Sequence, residues 1–217
     1  MTDAATRLAD VREQVARAAK SARREPDSVT LVAVTKQRGV AEIEPLIAAG
    51  VTNFGENRVA EAAEKWAALP ATPGIKLHMI GQLQSNKAAE AVELFDVIHS
   101  LDRPSLLKAL TSAGEQAGRF PDVYVQVNIG AEEQKGGASI AELPAFVDEV
   151  RASPLRLAGL MAMPPLGQQS GPYFALLAEL ARRHGVAGLS MGMSSDYPTA
   201  VMLGATVIRV GSALFQD

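Results

Sequence analysis

Two hydrophobic patterns alternate along this chain. Short, continuous apolar runs are followed by stretches in which apolar residues recur every three or four positions. Eight runs show the first pattern: "VTLVAVTK", "VTNFGE", "IKLHMIG", "FDVIHSL", "DVYVQVNI", "LRLAGLMAM", "GLSMGM" and "ATVIRVG". Continuous rather than alternating apolarity predicts strands buried on both faces, as in a parallel sheet. Between them the spacing predicts helices, carried by Ile43-Leu46-Ile47, Val59-Ala62-Ala63-Trp66, Ala88-Ala91-Val92-Leu94, Leu106-Leu107-Leu110, Leu143-Phe146-Val147-Val150, Phe174-Leu177-Leu180 and Ala200-Val201-Leu203. An amphipathic helix comes first. Leu8, Val11, Val15, Ala18 and Ala22 share one face, Lys20, Arg23 and Arg24 complement the dipole of the last turn, and Pro26 stops it.

The turn residues agree with this division. Gly50, Gly118 and Gly204 follow helices where a left-handed residue would fall. Pro45 is expected early in its helix, where a missing N–H does least damage. "PPLGQQSGP" (Pro164–Pro172) reads as a long loop after the sixth strand. Strands alternating with helices imply right-handed parallel crossovers, and eight such units close naturally into a (β/α)₈ barrel of the TIM type. An open doubly wound sheet would advertise a Gly-rich turn after its first strand, and "VTKQRGV" is not one. The expected organisation is one domain over residues 1–217, with an N-terminal helix (1–25) and a barrel (29–215).

Composition narrows the function classes. The net charge of -3 gives no general attraction to nucleic acid or anionic membranes. With no cysteine, disulfides and thiolate metal sites are excluded. Three scattered histidines without ligand spacing argue against zinc, and no metal site is expected. The N-terminus lacks the apolar stretch of a signal peptide, and no apolar run approaches membrane-spanning length. A cytoplasmic protein is the expectation.

Active sites of such barrels gather at the carboxyl ends of the strands. Those ends carry Lys36, Glu56-Asn57, Gln82, Asn128, Ser194 and Gly211-Ser212. Lys36 could pair with a carboxylate, attract a phosphate or form an imine with a carbonyl. The plain reading is an ion pair with a residue such as Glu56. The loops after strands seven and eight, "GMSSDYPTA" and "RVGSALF", stand where barrels often bind phosphate. Ser194 and Ser195 offer hydroxyls where a helix could begin, with ordinary helix capping as the alternative. Gly211 allows close backbone approach and Ser212 adds a donor. Arg209 interrupts a buried strand and needs a carboxylate, a phosphate or a ring acceptor, since arginine stays charged. A buried salt bridge is its plain reading. His78 and His99 read as core histidines with one hydrogen bond each, and His184 as exposed. Met79, Met161, Met163, Met191 and Met193 read as core filling.

"LVAVTK", "AGVTNFGEN", "LHMIGQLQSNK", "IHSLDR", "VNIGAEEQKGG", "LRLAGLMAMPP", "LSMGMSSD" and "GATVIRVGSALF" run in order over nearly the whole chain. In them the chain resembles the pyridoxal phosphate homeostasis proteins, the YggS/PROSC family. The resemblance implies a barrel like the N-terminal domain of alanine racemase. It also implies that Lys36 carries pyridoxal 5′-phosphate as an internal aldimine. Ser194, Gly211 and Ser212 fall on the family's phosphate cradle, Arg209 beside the pyridine nitrogen, and Asn57 near the cofactor. Four positions depart from the pattern: Arg58 stands in place of a tyrosine, Gln134 of a serine, Leu77 of an aromatic residue and Gln216 of a glycine. They bear on rim contacts and the C-terminal tail, not on the lysine or the phosphate loops.

A Schiff base is not by itself an activity. Racemisation needs a base on each face of the α-carbon, and in alanine racemase the second is a tyrosine of a partner subunit's additional domain. Here the tyrosines are Tyr124, Tyr173 and Tyr197, and no further module follows the barrel. The resemblance therefore implies a non-catalytic protein, with no catalytic residue assigned, that binds and buffers the cofactor as a monomer and delivers it to pyridoxal phosphate-dependent apo-enzymes. Three alternatives remain: a racemase-like pyridoxal phosphate enzyme, an aldolase-like barrel without cofactor, and a protein that only binds partners.

Overall fold

In the computed structural model, which describes residues 3–215, eight parallel strands pair in chain order and the last closes on the first. They are β1 (Thr30–Val34), β2 (Asn53–Glu56), β3 (Lys76–Met79), β4 (Val97–Leu101), β5 (Asp122–Gln126), β6 (Arg156–Met161), β7 (Gly188–Ser190) and β8 (Val207–Val210). Helix α1 (Ala4–Ser21) precedes the barrel. Helices α2 (Val40–Ala48), α3 (Val59–Ala67), α4 (Ala88–Leu94), α5 (Pro104–Ala117), α6 (Leu143–Ala152), α7 (Gly171–Arg183) and α8 (Tyr197–Met202) alternate with the strands. This is the (β/α)₈ TIM-type barrel that the alternating patterns predict. Among the described residues no helix is long and apolar enough to cross a membrane. Gln216, one of the departures noted above, lies outside the described residues.

The strands are buried on both faces, and their two-residue period sorts side chains between two environments. Ala33, Phe54, Leu77, Ile98, Val123, Val125, Leu160 and Ile208 face outward into the core shared with the helices. Val32, Val97, Tyr124, Met161 and Val207 form a second, smaller cluster on the barrel axis. Residues of that inner parity are unusually polar for a barrel core: His78, His99, Gln126, Ser190 and Arg209 are all buried.

Local details differ from the sequence expectations for identifiable reasons. Helix α1 ends at Ser21, so of the expected cations only Lys20 lies in its last turn. Ala22 is the C-cap, and Arg23 (φ 57°) and Arg24 lie beyond the helix. Arg24 instead donates to the carbonyls of Val201 (2.9 Å) and Ala205 (2.8 Å), fastening α1 to the end of α8. Pro45 is not in the first turn of α2, because the helix begins at Val40, where Glu42 accepts from the Gly39 N–H (2.9 Å). Ala63 is exposed rather than on the buried face of α3. His184 caps α7 and is half-buried. Gly50, Gly118 and Gly204 do take left-handed conformations, with φ of 84°, 65° and 103°.

Candidate functional site

At the carboxyl ends of the strands lies a cavity of about 840 Å³. Lys36, Asn57, Ser194, Arg209, Gly211 and Ser212 all line it. Lys36 continues the inward parity of Val32 and Val34 and is exposed in the mouth. Among the described residues nothing hydrogen-bonds or ion-pairs with its amine.

The plain reading of Lys36 does not hold. Glu56 has the outward parity of Phe54, so its carboxylate lies behind the strands and is fully buried. It accepts from Lys65 Nζ (3.0 and 3.1 Å), from Thr35 Oγ1 (2.7 Å) and from Trp66 Nε1 (3.1 Å). Lys65 also donates to the Thr35 carbonyl (2.7 Å) and to Glu61 (3.3 Å), and Glu61 accepts from the Gln37 N–H (2.8 Å). Both neighbours of Lys36 are therefore clamped from behind. Gln37 is held at φ 61°, a left-handed conformation that costs a non-glycine residue about 1 kcal/mol or more. The network holds the backbone around Lys36 and leaves its amine to the cavity.

The loops after β7 and β8 meet beside the carboxyl end of β1, with which β8 pairs. Ser194 Oγ accepts from the backbone N–H of Gly211 (3.1 Å) and of Ala213 (3.4 Å). Ser194 is thus not the helix cap. Helix α8 starts at Tyr197, and Asp196 turns the chain into it by accepting from the Met193 N–H (2.7 Å). Ser195 and Ser212 are exposed in the cavity wall. This side of the cavity collects the hydroxyls of Ser194, Ser195 and Ser212, donors of the kind an oxyanion needs, and the Gly211 N–H, which here donates to Ser194 Oγ.

Arg209 reaches the cavity from inside the barrel and is 4% exposed. Its Nη1 donates to Ser190 Oγ (2.6 Å) and its Nη2 to the Ala162 carbonyl (3.2 Å). Among the described residues no carboxylate ion-pairs with it, so the buried salt bridge of the plain reading is absent. Burial pushes its pKa down to about 10, with the more distant Asp196 pulling the other way. A cation so placed is costly unless a ligand completes its partners.

Other expected mouth residues divide. Gln82 lines the cavity and donates to Gln126 Oε1 (3.0 Å). Asn128 instead braces its own loop, donating to the Glu132 carbonyl (2.9 Å) and accepting from the Glu132 N–H (3.1 Å). Gln126, a lining residue not anticipated, carried the cue that singled out Arg209: one polar residue inside an apolar strand. Met163 and Met193 line the cavity too, whereas Met79, Met161 and Met191 are core. Gly81 is required by close approach, since a Cβ there would lie 2.3 Å from the Asn57 carbonyl oxygen. Among the described residues no cluster of His, Cys, Asp or Glu could hold a metal ion.

An unbonded amine, an unpaired buried guanidinium and a set of oxyanion donors in one barrel mouth define a site for a small anion that also bears a carbonyl. Comparison with known proteins narrows the class. Residues 7–217 match the family described as alanine racemase, N-terminal domain. A pyridoxal phosphate homeostasis protein of Pseudomonas aeruginosa is 40% identical over 99% of this chain and 96% of its own. PipY of Synechococcus elongatus PCC7942, solved with PLP bound, is 40% identical with a TM-score of 0.86, covering 98% of this chain and all of that one (100%). The chain belongs to the pyridoxal phosphate homeostasis family, within the alanine racemase N-terminal domain fold. Alanine racemase of Corynebacterium glutamicum, 18% identical with a TM-score of 0.66 over 60% of its length, shares the fold alone.

Proposed function

We propose that this protein binds pyridoxal 5′-phosphate in the mouth cavity as a Schiff base on Lys36, and that it serves intracellular homeostasis of that cofactor without turnover. The observation that carries this reading is that Lys36 is the one lysine lining the cavity and shares it with Arg209, and neither has an ion-pair partner among the described residues, whereas Lys87 and Lys135 pair with Glu90 (2.8 Å) and Glu132 (2.6 Å) outside it. On this reading Ser194, Gly211 and Ser212 hold the phosphate. Arg209 donates to the pyridine nitrogen, and Asn57 lies against the ring. Because a guanidinium only donates, it keeps that nitrogen free of a proton and weakens the ring as an electron sink. The likeness to pyridoxal phosphate homeostasis proteins supports a role outside catalysis. So do the tyrosines: Tyr124 stacks on His99 inside the barrel, Tyr173 donates to Gln168 and Tyr197 is buried, and none lines the cavity. The whole chain acts as one cofactor-binding domain, a cytoplasmic monomer that hands the cofactor to apo-enzymes.

The test is borohydride reduction of the protein loaded with pyridoxal phosphate, followed by peptide mass mapping. One pyridoxyl adduct on Lys36 is expected, and Lys36→Ala should abolish both the adduct and the visible absorption band. An adduct on Lys87 or Lys135 overturns the site. Racemisation of L-alanine that is lost in Lys36→Ala overturns the absence of turnover.

A further inference from the structure

Four side chains on the barrel axis continue from Arg209 to the amino end of the strands. Ser190 Oγ, which accepts from Arg209, lies 2.8 Å from His99 Nδ1. His99 Nε2 lies 2.9 Å from His78 Nδ1, and His78 Nε2 lies 3.0 Å from Asn53 Oδ1. The proton order follows from the arginine end. Guanidinium can only donate, so Ser190 Oγ accepts from it, and His99 Nδ1 is the one acceptor beside the hydroxyl among the described residues, so the serine proton goes there. A histidine that accepts at Nδ1 carries its proton on Nε2, where it faces His78 Nδ1. His78 in turn carries its proton on Nε2 and donates to the Asn53 carbonyl oxygen. Every bond is satisfied once, and all run in one direction.

Protonation of either ring would break that order and add a cation to a space already holding Arg209. On His78 it would set two N–H groups head-on across 2.9 Å, and on His99 it would set an N–H against the Ser190 hydroxyl proton across 2.8 Å. Desolvation keeps both rings neutral, lowering His78 to about 4, with Lys76 contributing, and His99 well below its ordinary range, with His78 and Arg209 contributing. The rings are also mechanically fixed. His99 stacks on Tyr124 with centroids 4.6 Å apart and planes 4° from parallel. Tyr124 fits because Gly159 lacks a Cβ, which would lie 2.4 Å from its ring.

We infer that His99 and His78 are positioning residues for Arg209, acting through Ser190 to hold Nη1 of the guanidinium in the barrel and leave its remaining N–H groups to the mouth cavity. If His99 carried its proton on Nδ1, the Ser190 hydroxyl proton would lose its only acceptor among the described residues, and its orientation toward the guanidinium would no longer be fixed. The inference rests on the proposed function only in naming the pyridine nitrogen as what the presented N–H groups meet.

Two measurements on cofactor-free protein test the positioning itself. Nitrogen-15 NMR should show both histidines neutral and protonated on Nε2; a proton on either Nδ1 overturns the inference. The Nη1 and Nη2 signals of Arg209 should be distinct in the wild type and merge in His99→Phe. They should separate again in His99→Gln, whose amide supplies one acceptor and one donor. Unchanged signals in His99→Phe overturn the inference, and if that variant fails to fold, Ser190→Ala makes the same test. Binding then links the chain to the ring. His99→Phe should weaken pyridoxal phosphate binding by about tenfold and leave the 1-deaza analogue, which lacks the ring nitrogen, unchanged. Equal weakening of both overturns it. A wild-type protein that binds neither would sink the proposed function while the NMR result still decides the positioning.

Discussion

Two buried polar networks lie on opposite faces of the barrel wall, one outside it and one inside, and they solve the burial of charge differently. The outer one, behind β1 and β2, is ionised, and its buried pair is self-compensated: Lys65 meets Glu56, the remaining Glu56 contacts are neutral donors, and the second carboxylate, Glu61, stands at the partly exposed rim. The inner one, on the barrel axis, is neutral along its length and ends in a cation without a counter-charge. A network that cancels its own charge has none left for a ligand, and it serves to hold backbone. A network that leaves one charge uncancelled, and fixes its direction with neutral groups, presents that charge to whatever enters. The lysine at the mouth is held by the first kind of network, the arginine by the second.

The largest effect should come from uncompensating the outer network. Glu56→Ala leaves the Lys65 ammonium, whose side chain is 9% exposed, without its main carboxylate, and strips an acceptor from Thr35 and Trp66. Breaking a buried pair from one side costs about 3–5 kcal/mol, while replacing both partners with apolar residues of similar volume costs far less. Urea denaturation should show that loss for Glu56→Ala and recover most of it in Glu56→Met combined with Lys65→Met. A loss below about 1 kcal/mol in the single variant would erase the distinction between the networks.

The inner network should respond to acid rather than to salt-bridge removal. Its histidines have pKa values lowered by folding, His78 to about 4, so the unfolded chain binds more protons wherever pH lies below the ordinary histidine value of about 6.5. The stability is complete above that value and is lost as pH falls toward the folded one. Between pH 6.5 and 5 the loss should reach about 2 kcal/mol for His78 alone. Urea midpoints across that interval check it. His99→Gln should flatten the profile, and an equally steep profile in that variant would assign the loss elsewhere.

How much of this was legible in the sequence depended on range. Continuous apolar runs located all eight strands. Barrel topology placed Lys36, Asn57, Ser194, Gly211 and Ser212 at strand ends, Arg209 stood out as a charge inside the eighth strand, and all six line one cavity. The partner of Glu56 was not read, although the two-residue period alone would have sent Glu56 outward with Phe54 and Lys36 inward with Val34. The inner chain was out of reach for a different reason. His78 and His99 are 21 residues apart, and His99 and Ser190 are 91 apart. Only closure of the barrel brings them together, so each looked like an isolated core residue. Ser194 resembled a helix cap because the start of α8 is set by Asp196, and the two readings differ by two residues.

The smallest expected effect separates charge from hydrogen bonding within the outer network. Glu61 is partly exposed, and the chief cause holding its carboxyl below the ordinary range is the backbone N–H of Gln37, ahead of the hydrogen bond and charge of Lys65. Its structural task is therefore to accept from an amide in a left-handed turn, which a neutral carbonyl oxygen can also do. Glu61→Gln keeps that acceptor, and Lys65 keeps Glu56, so the change should stay within about 0.5 kcal/mol. Glu61→Ala removes the acceptor and should cost about 1 kcal/mol. It should also speed hydrogen exchange at the Gln37 amide, because the turn beside Lys36 loses its tether. Urea denaturation and amide exchange on both variants make the test. If Glu61→Gln proved as costly as Glu61→Ala, the charge and not the hydrogen bond would hold the turn, and the outer network would depend on ion pairing even at its rim.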